Sequence, residues 1–257
     1  MKKGLKWIFL GFIGIILLLG AGFFVWTQFT YELINAEGVE LNEPLPINDD
    51  WIIYSASNAD TGFVLYPGAK VEPEAYAYLA QELSQQGITV AIPSVTLNLS
   101  IFDSAKAEEL IQREPDLHWY IGGHSMGGAA AAMYADNHLE TIEGLLLFGS
   151  YAASNESLHS SSLPVLSLSA SEDGLSTPEK IEDNSKNLPD TTDFIEIEGG
   201  NHAYFGLYGE QTGDGDAHLS VAEQQEAIIE IVVSWITEQT NEKGIALSDS
   251  FFVLVPQ

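Results

Sequence analysis

An apolar stretch, Trp119-Tyr120-Ile121, runs straight into Gly123-His124-Ser125-Met126-Gly127, and small residues from Gly128 to Ala132 lead straight out. The first stretch predicts a strand and the Ala-rich one a helix. A chain that passes from strand to helix within so few residues must hold the corner residue in a strained conformation. Glycines two before and two after the corner remove the side chains that would strike the neighbouring strand and helix. The corner residue is Ser125. Its hydroxyl is expected to project above the strand, beside the free N–H groups of the helix start. A G-x-S-x-G match alone is weak; the strand before it and the helix after it make it a nucleophile elbow.

The rest of the sequence alternates in the same way. Trp51–Ser55, Gly62–Tyr66, Ile88–Ile92, Trp119–Gly122, Leu145–Phe148, Val165–Leu168 and Phe194–Ile197 are short apolar runs that predict strands. Between them Pro73 opens a helix carrying Tyr76, Leu79, Ala80 and Leu83, which Gly87 stops. Asp103 is expected to cap a helix through Leu110, Ile111 and Arg113. Thr177-Pro178 starts another, and Ser220 with Glu223 forms a capping box before Ala227–Thr237. Strands separated by helices imply an α/β architecture, with a mostly parallel central sheet flanked by helices. Residues 31–257 fit one such domain. The serine-rich Ser154–Ser162 predicts a loop rather than a boundary, and the apolar tail Ile245–Gln257 fits either a docking strand or an exposed end.

Charge narrows the partners. The chain has 9 basic and 37 acidic residues, for a net charge of −28, and no cysteine. Three of the bases (Lys2, Lys3, Lys6) precede every acid. So acidic a surface repels phosphates, which excludes nucleic acid as a partner. The missing cysteines exclude thiol nucleophiles and cysteine metal sites. After the three lysines, Trp7–Trp26 is uncharged and almost wholly apolar. Twenty residues at 1.5 Å each span about 30 Å, the thickness of a bilayer's hydrocarbon core. The lysines would keep the N-terminus cytoplasmic, with Trp7 and Trp26 at the two interfaces. The bulky residues after the run offer no small-x-small cleavage site. Residues 1–30 therefore predict a single-pass anchor with the acidic domain outside the cytoplasm; a cleaved signal would give a secreted protein instead.

A serine hydroxyl needs a base, and the base needs a third group to hold it. The chain order that goes with this kind of elbow is serine, acid, histidine. Of six histidines, His202 follows Phe194–Ile197 across Gly199-Gly200-Asn201, just past the C-terminal end of a strand. Ligand sites of open parallel sheets lie at that edge. His218 is the alternative. His124 lies inside the elbow and points the wrong way. Asp173 stands at the equivalent edge after Val165–Leu168, with Gly174 allowing a sharp turn and Glu172 as the fallback. It would fix the His202 tautomer. The oxyanion hole should combine the Met126 N–H with one from the loop after an earlier strand. Tyr66-Pro67-Gly68-Ala69 is that loop; Pro67 has no N–H, which leaves Ala69 as donor. Lys70 would stand at the rim. No metal or cofactor is expected. Calcium binding at Asp214-Gly215-Asp216 is a minor alternative, since the run lacks the full loop of oxygen ligands and the closing glutamate.

These residues resemble the α/β-hydrolase superfamily. More narrowly, they resemble bacterial, often membrane-anchored proteins of that fold that are distantly similar to dienelactone hydrolases. The resemblance runs from about Ile52 to Trp235. It rests on Tyr66-Pro67-Gly68 followed by Val71 to Tyr76, Leu97-Asn98-Leu99, and Gly122-Gly123-His124-Ser125-Met126-Gly127-Gly128. Ser171-Glu172-Asp173-Gly174 and Gly199-Gly200-Asn201-His202-Ala203 complete it. It implies Ser125, Asp173 and His202 as nucleophile, acid and base, the residues that position also selects. It further implies that Phe205-Gly206 and Asp214-Gly215-Asp216 belong to a loop beside the base. One departure is that Pro67-Gly68-Ala69 replaces the His-Gly-type oxyanion motif of many lipases.

The expected function is a serine hydrolase that cleaves a small-molecule ester, lactone or thioester through an acyl-enzyme. The alternatives are an acyltransferase using the same parts, or an anchored binding protein on an idle scaffold. The short Ser150–Leu163 predicts an open site without a bulky cap.

Overall fold

The computed structural model describes residues 2–42, 45–48, 50–153 and 158–242. Residues 154–157 of the serine-rich loop and the tail Ile245–Gln257 lie outside the described residues.

A long apolar helix, α1 (Lys2–Thr27), precedes the domain. The strands are β1 (Ile47–Asn48), β2 (Trp51–Tyr54), β3 (Thr61–Tyr66), β4 (Ile88–Pro93), β5 (His118–His124), β6 (Gly144–Phe148), β7 (Val165–Ala170) and β8 (Asp193–Ile197). They form one sheet in the order β1-β2-β4-β3-β5-β6-β7-β8. The pairs β1/β2 and β2/β4 are antiparallel, and every later pair is parallel. The remaining helices are α2 (Ala77–Gln85), α3 (Ala107–Arg113), α4 (Met126–Asn137), α5 (Pro178–Asn184) and α6 (Val221–Glu242).

Strand residues alternate between two cores, as the two-residue period of a strand requires. Phe63, Leu65, Tyr120, Leu146 and Phe148 pack on one face with Leu79 and Leu83 of α2 and Ile228, Val232 and Trp235 of α6. Val64, Tyr66, Trp119, Ile121, Leu145 and Leu147 pack on the other with Leu110 of α3 and Ala131, Ala132 and Ala135 of α4. Burial on both sides explains why these strands read as unbroken apolar runs.

The structure departs from expectation at several local points, among them α6, which spans Val221–Glu242 where Ala227–Thr237 is expected. The two-residue β1 carries no periodic pattern of its own. Pro73–Tyr76 is a 3-10 turn, and α2 proper begins at Ala77. Asp103 caps no helix through its side chain; its carboxylate accepts the Thr96 N–H instead, and a 3-10 turn over Ser104–Lys106 leads into α3. The Ser220–Glu223 capping box does form, with Ser220 N–H donating to Glu223 at 2.7 Å and Glu223 N–H to the Ser220 hydroxyl at 3.3 Å.

Candidate active site

The C-terminal ends of β3, β5, β6, β7 and β8 share one edge of the sheet. At β5 the chain turns through Ser125, which sits at φ 53°, ψ −121° as the N-cap of α4. A side chain at Gly127 would collide with the Tyr66 carbonyl oxygen, and one at Gly123 would come within 2.7 Å of that same oxygen. The two glycines thus let β3, β5 and α4 meet at one corner. Ser125 N–H donates to the Phe148 carbonyl at 2.9 Å, which ties the elbow to the end of β6.

Asp173 and His202 come together beside that end. His202 Nδ1 lies 2.7 Å from Asp173 Oδ2, with both side chains fully buried. The other carboxylate oxygen accepts N–H bonds from Leu175 at 2.8 Å and Ser176 at 2.6 Å. A carboxylate accepting from Nδ1–H leaves the lone pair on Nε2, the tautomer required of a general base. A Cβ at Gly149, the residue after Phe148, would lie 3.0 Å from Asp173 Oδ2 and 3.2 Å from His202 Nδ1. The His202 ring is also 4.4 Å, centroid to centroid, from that of His124 beside Ser125. The carboxylate–imidazole pair and the elbow therefore occupy one corner of the molecule.

Ala69 lies across the same corner. Among the described residues, neither the Ala69 nor the Met126 N–H donates to a protein acceptor. The neighbouring Gly68 N–H is held by the Tyr76 hydroxyl at 2.9 Å. That hydroxyl in turn lies 2.9 Å from His124 Nδ1, with both side chains buried. Since the tyrosine oxygen accepts from Gly68, its proton is free to go to His124. His124 is thus a brace under the elbow that ties it to the loop of Ala69. Burial, and then the nearby His202 ring, hold its pKa well below the ordinary histidine value.

The other histidines are elsewhere. His118 bonds Glu143 at 3.0 Å, His138 stacks on Tyr134, and His159 lies 3.1 Å from the Leu188 carbonyl. His218 is 76% exposed and 3.9 Å from Glu172. A cavity of about 680 Å³ lined by Ile53, Thr89, Leu110 and Trp119 contains none of the site residues.

Sequence reasoning gave no role to Asp214 beyond membership of the loop. Its Oδ1 accepts N–H bonds from Gly174 at 3.1 Å, His202 at 3.1 Å and Gly215 at 2.8 Å, and its Oδ2 one from Ala203 at 2.8 Å. One carboxylate thereby clamps the turns that carry Asp173 and His202. Donors this close occupy its lone pairs, which is the arrangement of a structural brace and not of a cation ligand. The only sequence hint was a carboxylate between two glycines.

The family comparison matches residues 62–226, more than half of the chain, to the alpha/beta hydrolase family. No protein of curated function matches the sequence. Among solved structures, an alpha/beta hydrolase enzyme from the metagenome of sediments of the Mar Chica lagoon, Morocco, is similar at 16% identity and a TM-score of 0.59, over 77% of this chain and 99% of that one. Est1E from Butyrivibrio proteoclasticus is similar at 14% identity and a TM-score of 0.57, over 81% of this chain and 98% of that one. A dienelactone hydrolase from Anabaena variabilis is similar at 18% identity and a TM-score of 0.56, over 73% of this chain and 90% of that one. At these identities the likeness establishes the fold. The sheet order, the elbow and the matched span agree, and the chain belongs to the alpha/beta hydrolase family.

Proposed function

We propose that this protein is a serine hydrolase that cleaves an ester, lactone or thioester of a small molecule through an acyl-enzyme. The observation that carries the reading is the buried 2.7 Å Asp173–His202 pair beside a serine held at positive φ. In this mechanism Ser125 Oγ bonds to the substrate carbonyl carbon while its proton passes to His202 Nε2. The carbonyl oxygen becomes an oxyanion in front of the Met126 and Ala69 N–H groups. The tetrahedral intermediate collapses, the C–O or C–S bond to the leaving group breaks, and His202 returns the proton to that group. Water then gives a proton to His202 Nε2 and bonds to the acyl carbon; the bond from that carbon to Ser125 Oγ breaks, His202 returns the proton to Oγ, and the acid leaves. Asp173 stays ionised, orients the ring and stabilises the imidazolium. No step calls for a cofactor.

Rates on p-nitrophenyl esters of increasing acyl length test this reading. The wild type should turn over at least part of the series, and Ser125→Ala should fall to background on every ester. A wild type flat at background across the series, or a Ser125→Ala variant as active as the parent, would overturn it.

A further inference from the structure

The last turn of α1 is seated on the domain. Thr27 is fully buried, and its carbonyl accepts from Asn98 Nδ2 at 3.1 Å. The Lys70 ammonium lies 4.4 Å from the centroid of the Trp26 ring. The chain that follows stays on the same edge. Tyr31 N–H donates to the Lys70 carbonyl at 2.7 Å, Glu72 N–H to the Tyr31 carbonyl at 3.0 Å, and Ile34 N–H to the Leu207 carbonyl at 2.8 Å. Lys70 and Glu72 continue the loop that carries the Ala69 N–H, and Leu207 follows the turn of His202. The exit of α1 is therefore bonded to both flanks of the candidate active site.

The most apolar window within Leu5–Thr27 has a mean hydropathy of 2.7, and none of that window is buried in the protein. Its 23 residues span about 35 Å as a helix, enough to cross the hydrocarbon core. Trp26 then falls at the membrane–water interface, where its ring is at home. Bonded to Trp26 and Thr27 through Lys70 and Asn98, the domain turns the C-terminal edge of its sheet toward the bilayer. A second observation agrees. Phe29, Ile34 and Phe102 are 69%, 42% and 55% exposed. All three sit on segments tied to this edge, Phe102 close to Ser100, whose hydroxyl donates to the Pro67 carbonyl at 2.6 Å. Apolar side chains exposed around a site are costly in water and favourable at a lipid surface.

We propose that the active site opens onto the bilayer surface and draws its substrates from it: acyl esters or thioesters of membrane-partitioned amphiphiles with neutral or zwitterionic head groups. The proposal rests on the hydrolase reading above. It requires α1 to stay attached, since its removal would strip Lys70 and Asn98 of these partners. The acidic domain disfavours anionic head groups.

The test uses the full chain in phosphatidylcholine nanodiscs with two fluorogenic esters, bilayer-partitioned 4-methylumbelliferyl oleate and water-soluble 4-methylumbelliferyl acetate. The undocked variant combines Trp26→Ala with a Gly-Ser insertion of about eight residues between Phe29 and Thr30, which lets the domain leave the surface. Undocking should lower oleate hydrolysis by about tenfold or more through lost local concentration and leave acetate hydrolysis within about twofold. An unchanged oleate-to-acetate ratio, or equal loss of both activities, overturns the proposal and leaves the hydrolase reading standing. A wild type inert toward both esters and toward a fluorophosphonate overturns both.

Discussion

In the proposed mechanism Asp173 and His202 work as a unit, so loss of either should cost nearly as much as loss of both. Asp173→Asn and His202→Gln are each expected to lower kcat on the order of 10³–10⁴-fold, and the double variant hardly further. Single-turnover kinetics of the three variants check this; additive losses would mean that the two residues act separately. Asp214 makes a different prediction. Asp214→Ala leaves the N–H groups of Gly174, His202, Ala203 and Gly215 without their acceptor. It should destabilise the protein by about 2–4 kcal/mol and lower kcat more than it raises KM, with Asp214→Asn intermediate because an amide keeps one acceptor oxygen. Denaturant titration and steady-state kinetics on the same samples separate the two effects. His124 yields a pH prediction. Buried and held neutral in the folded protein, it takes up a proton near its ordinary pKa of about 6.5 only when unfolded. Its linkage is absent above that pH. Below it, stability falls with pH by up to about 1.4 kcal/mol per pH unit. His124→Asn should remove that slope, so its Tm should vary less than that of the wild type between about pH 5 and 7. Parallel Tm–pH curves would contradict the neutral, buried assignment.

At the scale of elements, the reader of the sequence sees what is local. The elbow was legible because its strand, glycines and helix start are contiguous, and the doubly buried strands were legible because each is an apolar run. Asp173 and His202 could be placed because each follows such a run at the same edge. What stayed hidden depends on contacts distant in sequence. Asp214 acts on a turn forty residues earlier. The hydroxyl of Tyr76, which reads as one more apolar position of a helix, reaches His124 across β3. Asp103 looked like a helix cap until the Thr96 N–H, brought in by the loop after β4, claimed its carboxylate. Ser220 is the opposite case, a cap formed by residues three apart. Ser220→Ala should cost about 1 kcal/mol of stability, measured by chemical denaturation, with activity on a short ester unchanged. A loss within error would show that α6 is fixed by its packing against the sheet alone.

At the scale of the whole molecule, the chain carries a net charge of −28. Its field should favour a cationic ester over an anionic one of equal acyl length, and the preference in kcat/KM should shrink several-fold as salt rises to about 0.5 M. A preference insensitive to salt would place the discrimination in the pocket itself. The central claim is that one oxygen in this chain, that of Ser125, is the nucleophile. Reaction of the full-length protein with a fluorophosphonate, followed by intact-mass and peptide mapping, tests it most directly. The predicted result is one adduct per chain, on Ser125, absent from Ser125→Ala and slowed in His202→Gln. An adduct elsewhere, or undiminished labelling of Ser125→Ala, would contradict the account.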